Sequence, residues 1–363
     1  MSRHRVAIAS LHTYAKSLLE ADSEAYASKH LSTSSSHKFL STIMTSGTLS
    51  DKVSALTLVV QESPVHTTKS FESLLGLAKK RSRGQAVEAL GAIKDLLAMG
   101  VVLPSDRRLR TFATQPGLIA TMQETSNPTW NSGGVLPGNI TKAHLISWAF
   151  EDWLKEAYFD MLKVLEGWCN DEVEYARSRA VSYVYELLKE KPEQESNLLR
   201  LLVNKLGDPE KKIASRASYL LLQLQISHPL MKGIIISSIE DELLLRPGQS
   251  LHAKYYAINT LNQTILSLKE ETVARRLLDI YFDLFVTLLK KPEPDTKPKD
   301  APVLNRKGQI QGGGAPMGRK AKAKANKEEE AKLSGEETVE KMISAVLTGV
   351  NRAFPFSKSD DTG

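Results

Sequence analysis

The sequence predicts an all-α protein, and three of its features support this prediction. Apolar residues recur every three to four positions along most of the chain, which is the spacing of one face of a helix. Leu, Ala, Glu, Lys and Ser dominate, and the alternation of Val, Thr and aromatic residues that is typical of strands is rare. One pattern of helix starts and small residues also recurs within residues 171–261. Such internal repetition is typical of stacked helices.

The composition allows a large folded core and excludes several classes of protein. Of the 363 residues, 41% are hydrophobic and 25% are charged, and the formal net charge of +6 permits a nucleic acid or an acidic partner. A single cysteine, Cys169, excludes a disulfide framework and favours a reducing intracellular compartment. The N-terminal segment lacks the apolar core of a signal peptide, and no apolar run approaches the ~20 residues of a membrane-spanning helix.

Residues 1–110 carry the pattern of several helices, which we expect to form N-terminal helical repeats. Their apolar stripes lie around residues 6–20, 53–60, 71–80 and 85–99. Residues 111–140 differ, because turn-forming pairs interrupt the periodicity: Pro116-Gly117, Asn127-Pro128, Gly133-Gly134 and Pro137-Gly138. We predict an irregular connection there rather than a helix, and connections of such length are often functional.

Residues 141–290 hold the repeat, which predicts the architecture. Asp171 is followed five residues later by Ala176 and nine residues later by Ala180. The same positions hold Asp208, Ile213 and Ala217 after 37 residues, and Gly248, Ala253 and Ala257 after 40 more. We expect each Asp to cap a helix, Pro209 to occupy the first helical position, and each alanine to allow close helix packing. The pattern resembles HEAT repeats and predicts a HEAT-like α-solenoid of stacked helix pairs.

The composition changes after residue 290. Residues 291–335 are rich in Pro, Gly, Lys and Ala and have too little apolar surface to fold alone, so we expect a disordered basic linker. Twelve basic and six acidic residues lie between Lys290 and Lys332, which accounts for the whole net charge of the chain. Residues 336–363 are expected to form a short helix and a tail that leads toward a missing domain.

No arrangement of side chains in the sequence indicates an enzyme. Cys169 has no histidine close in sequence, which favours a packing role over nucleophilic catalysis. The glycines at 313 and 318 have the spacing of a phosphate-binding loop, but Arg319 and Lys320 replace the required Lys and Ser or Thr. The eight histidines are dispersed. We therefore predict no catalytic, metal-binding or cofactor-binding residues, no small-molecule substrate and no membrane partner.

Three pairs of adjacent carboxylates are candidate acid–base groups. They are Glu151-Asp152, Asp171-Glu172 and Glu240-Asp241. We expect them at helix starts or on polar faces, where capping or solvation explains them.

Three basic clusters are candidate RNA contacts. They are Lys79, Lys80, Arg81 and Arg83; Arg107, Arg108 and Arg110; and Arg319, Lys320, Lys322 and Lys324 in the predicted linker. Such groups of cations neutralise a phosphate backbone, although the first two clusters flank expected helix ends, where cations are favoured without any ligand. Flexible basic segments like the third are common in RNA-binding and nuclear-import proteins. Because no aromatic residues are interleaved with these clusters, their binding should depend on shape and charge.

Several segments go beyond a generic helical repeat. They are residues 144–155, 204–209, 228–233, 254–263 and 343–356, the last of which reads ISAVLTGVNRAFPF. These segments resemble the family of CCAAT/enhancer-binding protein zeta, also known as the Mak-type nucleolar complex proteins. The resemblance is strong over residues 141–356 and weaker but continuous over residues 49–140. It implies a chain truncated before the CCAAT-binding-factor domain of that family.

The resemblance also implies a function. Members of this family are non-enzymatic ribosome-biogenesis factors of the nucleus and nucleolus, which scaffold early pre-60S assembly through protein and pre-rRNA contacts. The implied partners are a second nucleolar complex protein, in a heterodimer, and proteins of the pre-ribosomal particle. Two alternatives stay open: a HEAT-repeat adaptor in nuclear transport or trafficking, and a regulator that binds CCAAT-box DNA. The fold alone does not separate these uses.

Overall fold

The computed structural model describes residues 2–31, 35–124, 130, 134–289 and 319–357. These residues form an all-α structure without strands, as the periodicity predicts. The helices within these ranges are α1 Ser2–Tyr26, α2 Ser35–Ser46, α3 Leu49–Glu62, α4 Thr68–Ala78, α5 Arg83–Ala98, α6 Pro116–Glu124, α7 Lys142–Cys169, α8 Glu174–Glu190, α9 Glu195–Asn204, α10 Lys211–Ser227, α11 Lys232–Ile239, α12 Leu251–Asn262, α13 Glu271–Leu289 and α14 Arg319–Ala353.

The chain divides into two compact units, Met1–Lys205 and Leu206–Gly363. The first unit contains α1 to α9, and the second contains α10 to α14. The boundary between the units falls inside residues 141–290, for which the sequence predicts one block of repeats. Residues 290–318, which hold most of the predicted linker, lie outside the described residues.

Helix α7 is central to the first unit, where it contacts α1, α4, α8 and α9. It begins with a capping box, because the Thr141 hydroxyl accepts a hydrogen bond from the His144 N–H and His144 Nδ1 accepts one from the Thr141 N–H, each at 3.3 Å. Its buried face follows the predicted helical spacing: Leu145, Ala149, Leu154, Tyr158, Met161 and Leu165. Cys169 at its end is fully buried, as expected for a packing thiol.

The connection of residues 111–140 is more regular than the sequence predicts. Its described part contains a 3-10 turn, Phe112–Thr114, and α6, which starts at Pro116. Several of its side chains join the core formed with α1 and α7: Phe112, Leu118, Met122, Trp130 and Ile140. The prediction failed because Pro116-Gly117 was interpreted as a turn, whereas proline is favoured at the first position of a helix.

The repeat pattern of residues 171–257 is confirmed in its buried residues, but the predicted helix caps are wrong. The small or aliphatic positions are all at most 2% exposed: Ala176, Ala180, Ile213, Ala217, Ala253 and Ala257. Asp171 and Asp208 each accept a hydrogen bond from the backbone N–H two residues later, at 2.8 and 3.0 Å. However, α8 and α10 begin one residue beyond those N–H groups, so each Asp closes the preceding turn and Pro209 lies outside the helix.

The third copy of the repeat closes its turn without an acid. Gly248 stands at the position of the Asp and has a φ of +81°, a left-handed conformation that glycine adopts without strain. The side chain of Ser250 then caps α12 by accepting a hydrogen bond from the Ala253 N–H at 3.1 Å. The missing acid is therefore replaced by a different turn.

Helix α14 starts earlier than the sequence predicts. We expected disorder up to residue 335 and a short helix after it, but the helix begins at Arg319. Residues 319–332 consist mostly of Ala, Lys and Glu, which have high helix propensity. The prediction of disorder was wrong because it rested on the lack of apolar residues alone and not on this helix propensity. Beyond it, Met342 and Val346 are buried where α14 packs on α12 and α13.

The substitution Ala217→Leu tests the packing predicted from the repeat. Ala217 on α10 has no exposed surface, so a larger side chain must displace its neighbours. We expect the free energy of unfolding to fall by about 1–3 kcal/mol, measured by urea denaturation of the whole chain. Lys211→Leu, at an exposed site on the same helix, should change it by less than about 0.5 kcal/mol. Equal stability of Ala217→Leu and the parent would contradict the described packing.

Candidate functional site

The first basic cluster lines a groove in the first unit, which we call the basic groove. The groove has a volume of about 530 Å³. Its lining comes from the α4–α5 connection and from the end of α7 with the turn that follows: Ala78, Lys79, Lys80, Arg81, Arg83, Lys163, Val164, Gly167, Trp168 and Asp171. The fold thus brings all four cations predicted for this cluster to one groove and adds Lys163.

A hydrogen bond fixes the α4–α5 connection against α7. The indole Nε1–H of Trp168 donates to the carbonyl oxygen of Ala78, the last residue of α4, at 3.1 Å. Lys79 follows as the C-cap, and its N–H donates to the carbonyl of Leu75 at 3.2 Å. Cations at the C-terminal end of a helix also interact favourably with the helix dipole. The turn therefore holds its basic side chains at a defined place on the surface.

The charges of the basic groove are only partly compensated. Arg83 Nε lies 2.9 Å from Asp171 Oδ1, and this pair neutralises one cation. Burial alone would raise the pKa of Asp171, but hydrogen bonds from the Val173 N–H and from Arg83 outweigh it and hold the pKa below its ordinary value. Lys79, Lys80 and Arg81 are exposed and make no ion pair with any described residue. A polyanion would meet uncompensated positive charge here.

The fifth cation, Lys163, was missed by the sequence analysis. It lies on α7, far along the chain from the other four, and pairs with the half-buried Asp160 at 2.9 Å. Its ammonium also lies 4.7 Å from the ring centroid of Phe159. No signal in the linear sequence links Lys163 to residues 79–83, because only the packing of α4 against α7 brings them together.

The second basic cluster is held largely in ion pairs. Arg107 forms a two-pronged pair with Glu151, with Nε–Oε1 at 3.1 Å and Nη2–Oε2 at 2.5 Å. Arg108 pairs with Glu195 at 2.8 Å. The side chain of Arg110 is exposed, while its backbone N–H donates to Glu151 at 3.0 Å. Two of these three arginines thus have structural partners, and the RNA contacts predicted for this cluster stay a prediction.

The prediction for Glu151 and Asp152 is wrong. They lie in the middle of α7, 5% and 6% exposed, rather than at a helix start or on a polar face. Glu151 accepts hydrogen bonds from Arg107, the Arg110 N–H and Gln115 Nε2, and Asp152 accepts one from the Phe112 N–H at 2.8 Å. Their carboxylates therefore satisfy the backbone of the connection that crosses α7.

Two further carboxylates are also buried and paired with cations. Glu193 is buried, accepts a hydrogen bond from the Leu109 N–H at 2.7 Å and pairs with Lys155 at 3.0 Å. Glu240 was also expected at a helix start or on a polar face, but it is buried in a π-helical turn after α11 and pairs with Arg276 at 2.5 Å. Asp171 and Glu172 do precede the start of α8, as predicted.

The third basic cluster lies at the start of α14, and the side chains of Arg319, Lys320, Lys322 and Lys324 lie outside the described residues. Elsewhere, no three His, Cys, Asp or Glu side chains of the described ranges are grouped so as to hold a metal ion. None of the described helices has a stretch long and apolar enough to span a bilayer.

Comparison with known proteins gives clear relatives, although no family model matches the chain. The chain is 56% identical over 99% of its length to "Ribosome biogenesis protein NOC1" of Chaetomium thermophilum and covers 34% of that protein. It is 35% identical over 90% of its length to human CCAAT/enhancer-binding protein zeta, covering 26% of it. Nucleolar complex protein 1 of Drosophila melanogaster is 30% identical over 70% of the chain, which covers 21% of it. The chain thus spans about a third or less of these relatives.

Because of the Arg107–Glu151 pair, the free energy of unfolding should depend on pH in the acid range. Burial would raise the pKa of Glu151, but its partners outweigh this effect. The charge and hydrogen bonds of Arg107, together with hydrogen bonds from the Gln115 side chain and the Arg110 N–H, hold the pKa below its ordinary value of 4.5. The stabilisation is therefore complete above about pH 4.5 and is lost as the pH falls through the lower pKa of the folded state. The free energy of unfolding, measured by urea denaturation, should therefore decrease less with falling pH in Glu151→Gln than in the parent.

Arg107→Ala tests the same pair at neutral pH. It leaves a buried carboxylate without its cation, so we expect a loss of about 2–3 kcal/mol in the free energy of unfolding, reduced because Arg107 is half-exposed. The matched control is Arg108→Ala, whose pair with Glu195 is more exposed and should contribute less than about 1 kcal/mol. If both variants unfolded like the parent, the described role of Glu151 would be wrong.

Proposed function

Since the chain belongs to the family of nucleolar complex protein 1 and CCAAT/enhancer-binding protein zeta, we propose that it is a non-catalytic assembly factor of the early large ribosomal subunit. The observation that carries this proposal is the 56% identity, over almost the whole chain, to a relative named for ribosome biogenesis. The name of a second relative, nucleolar complex protein 1, supports a location in the nucleolus.

The basic groove supports a contact with pre-rRNA. Its three unpaired cations lie around one concave surface of the first unit, where they can approach adjacent phosphates of one RNA strand or helix. Lysine and arginine side chains at a fixed turn lose less freedom on binding than the same side chains on a flexible tail. We propose that Lys79, Lys80 and Arg81 bind the RNA backbone, with Arg83 and Lys163 contributing to the local potential.

The finer parts of the proposal concern architecture and partners. The buried repeat positions of α8, α10 and α12 support a HEAT-like stacking of helix pairs, which would offer long surfaces to proteins and RNA. We propose a heterodimer with a second nucleolar complex protein as the principal partnership. An adaptor of nuclear transport or trafficking is not favoured, because the names of the relatives point to the ribosome. The CCAAT-box alternative rests only on the name that the human and mouse relatives share, and it is not favoured either.

Gentle purification of the tagged chain from cells tests the assembly role. We expect pre-ribosomal RNA and early large-subunit factors to co-purify, together with a second nucleolar complex protein. RNA sequencing and mass spectrometry of the eluate measure this outcome. Recovery of transport or trafficking components without ribosomal precursors would reject the proposed function.

A triple substitution tests the basic groove. Lys79, Lys80 and Arg81 are replaced together by Gln, and binding to duplex RNA is measured over a range of salt concentrations. A plot of the logarithm of the association constant against the logarithm of the salt concentration has a negative slope. The steepness of this slope should decrease by about 2–3, because each lost phosphate contact removes roughly 0.9 from it. Thermal stability should stay close to that of the parent, since these side chains are exposed.

The matched control removes the same charge elsewhere. Lys142, Arg200 and Lys211 are exposed cations outside the groove, and their joint replacement by Gln should change the slope much less. Equal slopes for the two triple variants would show that binding follows net charge alone and would reject the groove as the contact site.

A further inference from the structure

A second groove, in the second unit, has a chemistry unlike that of the basic groove. It has a volume of about 650 Å³ and lies between α10, α12 and α14. Its lining combines aromatic rings, side-chain amides and hydroxyls: Ser215, Ser218, Tyr219, Tyr255, Tyr256, Asn259, Asn262, Gln263 and Thr348. We call it the tyrosine–amide groove. None of these nine residues carries a charge at neutral pH.

The walls of this groove are joined by close helix packing and a hydrogen bond. Residues 255, 259 and 262 follow the spacing of one helix face on α12, and Gln263 is the C-cap of that helix. Residues 215, 218 and 219 share one face of α10 in the same way. The third wall, α14, comes close because Gly349 has no side chain: a Cβ there would lie 2.5 Å from both Asn262 Oδ1 and Tyr281 Cζ. Asn262 Nδ2 donates to the Ala345 carbonyl at 2.8 Å, which fastens α14 to α12.

Several groups in the tyrosine–amide groove are free for a ligand. Tyr219 is 50% exposed, and Tyr255 and Tyr256 are partly exposed with rings at 88° to each other. The amide of Asn259 has no hydrogen-bond partner among the described residues, and the one bond shown for Gln263 uses only its oxygen, as acceptor from Ser218 at 3.4 Å. Both amides can therefore offer donors to an incoming molecule.

A cation stands beside the exposed ring. The guanidinium carbon of Arg216 lies 5.6 Å from the ring centroid of Tyr219, so its charge borders the groove without lining it. A ligand that stacks on Tyr219 could thus place an anionic group near Arg216. No carboxylate among the lining residues opposes such an anion.

These features together fit one class of ligand. Planar bases stack on aromatic rings, amides form paired hydrogen bonds with base edges, and an adjacent arginine binds the phosphate of the same nucleotide. Base faces and edges are accessible in this way only where RNA is unpaired. We propose that the tyrosine–amide groove binds unpaired RNA nucleotides. This inference rests on the proposed function and deepens it, because it gives the second unit a single-strand contact distinct from the backbone contact of the basic groove.

Binding to two labelled RNAs of equal length tests the proposal. The whole chain is titrated into a fluorescent ten-nucleotide oligouridine and into a duplex RNA, and affinity is measured by fluorescence anisotropy. Tyr219→Ala and Tyr255→Ala should each weaken single-strand binding by about tenfold, the effect of losing one stacking ring, and leave duplex binding unchanged. Tyr219→Phe and Tyr255→Phe keep the rings and should bind like the parent.

A tyrosine of the first unit gives a matched control. Tyr175 on α8 is 57% exposed, and the guanidinium carbon of Arg179 lies 5.7 Å from its ring centroid, as in the Arg216–Tyr219 pair. It lines neither groove, so Tyr175→Ala should leave both affinities unchanged. An equal loss in Tyr175→Ala would show that any exposed Arg–Tyr pair suffices and would overturn the proposal.

Other outcomes separate this inference from the proposed function. Single-strand binding that is insensitive to both alanine variants would overturn the tyrosine–amide site and leave the basic groove intact. Tyrosine-dependent capture of a proline-rich peptide, without competition by oligouridine, would assign the groove to a protein segment instead. Tyrosine-dependent RNA binding in vitro without pre-ribosomal RNA in the cellular eluate would support the groove and reject the proposed assembly role.

Discussion

The structure of the first unit depends on a pair of buried carboxylates in the middle of its central helix. Glu151 and Asp152 accept hydrogen bonds from the backbone of the connection that crosses α7, and Arg107 compensates the charge of Glu151. Without these acceptors, the N–H groups of an irregular segment would be buried unpaired. The packing of Phe112, and with it the core between α1 and α7, follows from that anchoring.

Local pattern was enough to predict the main helices that bury an apolar face, but not α6, the start of α14 or the contacts between helices. The period of three to four residues identified α7 and the alanines of the repeat, because burial of a helix face shows in spacing alone. Glu151 looked like a surface carboxylate because its partners, Arg107 and Gln115, lie about 40 residues away. Lys163 was missed for the same reason, since its neighbours in the basic groove come from α4 and α5.

The two grooves differ in the physics of what they can hold. The basic groove offers mainly positive charge, which suits a phosphate backbone and makes binding sensitive to salt. The tyrosine–amide groove offers ring faces and amides, whose contacts require bases that are not already stacked or paired within the RNA. The two surfaces therefore suit different features of an RNA, namely its phosphate backbone and its unpaired bases.

The close packing of α14 on α12 also affects when the second unit can fold during synthesis. Two walls of the tyrosine–amide groove, α10 and α12, leave the ribosome long before Thr348 and Gly349. Until α14 arrives, the hydrogen bond from Asn262 to Ala345 cannot form, and that side of the groove is open to water. The described packing of the second unit can therefore form only after α14 has emerged.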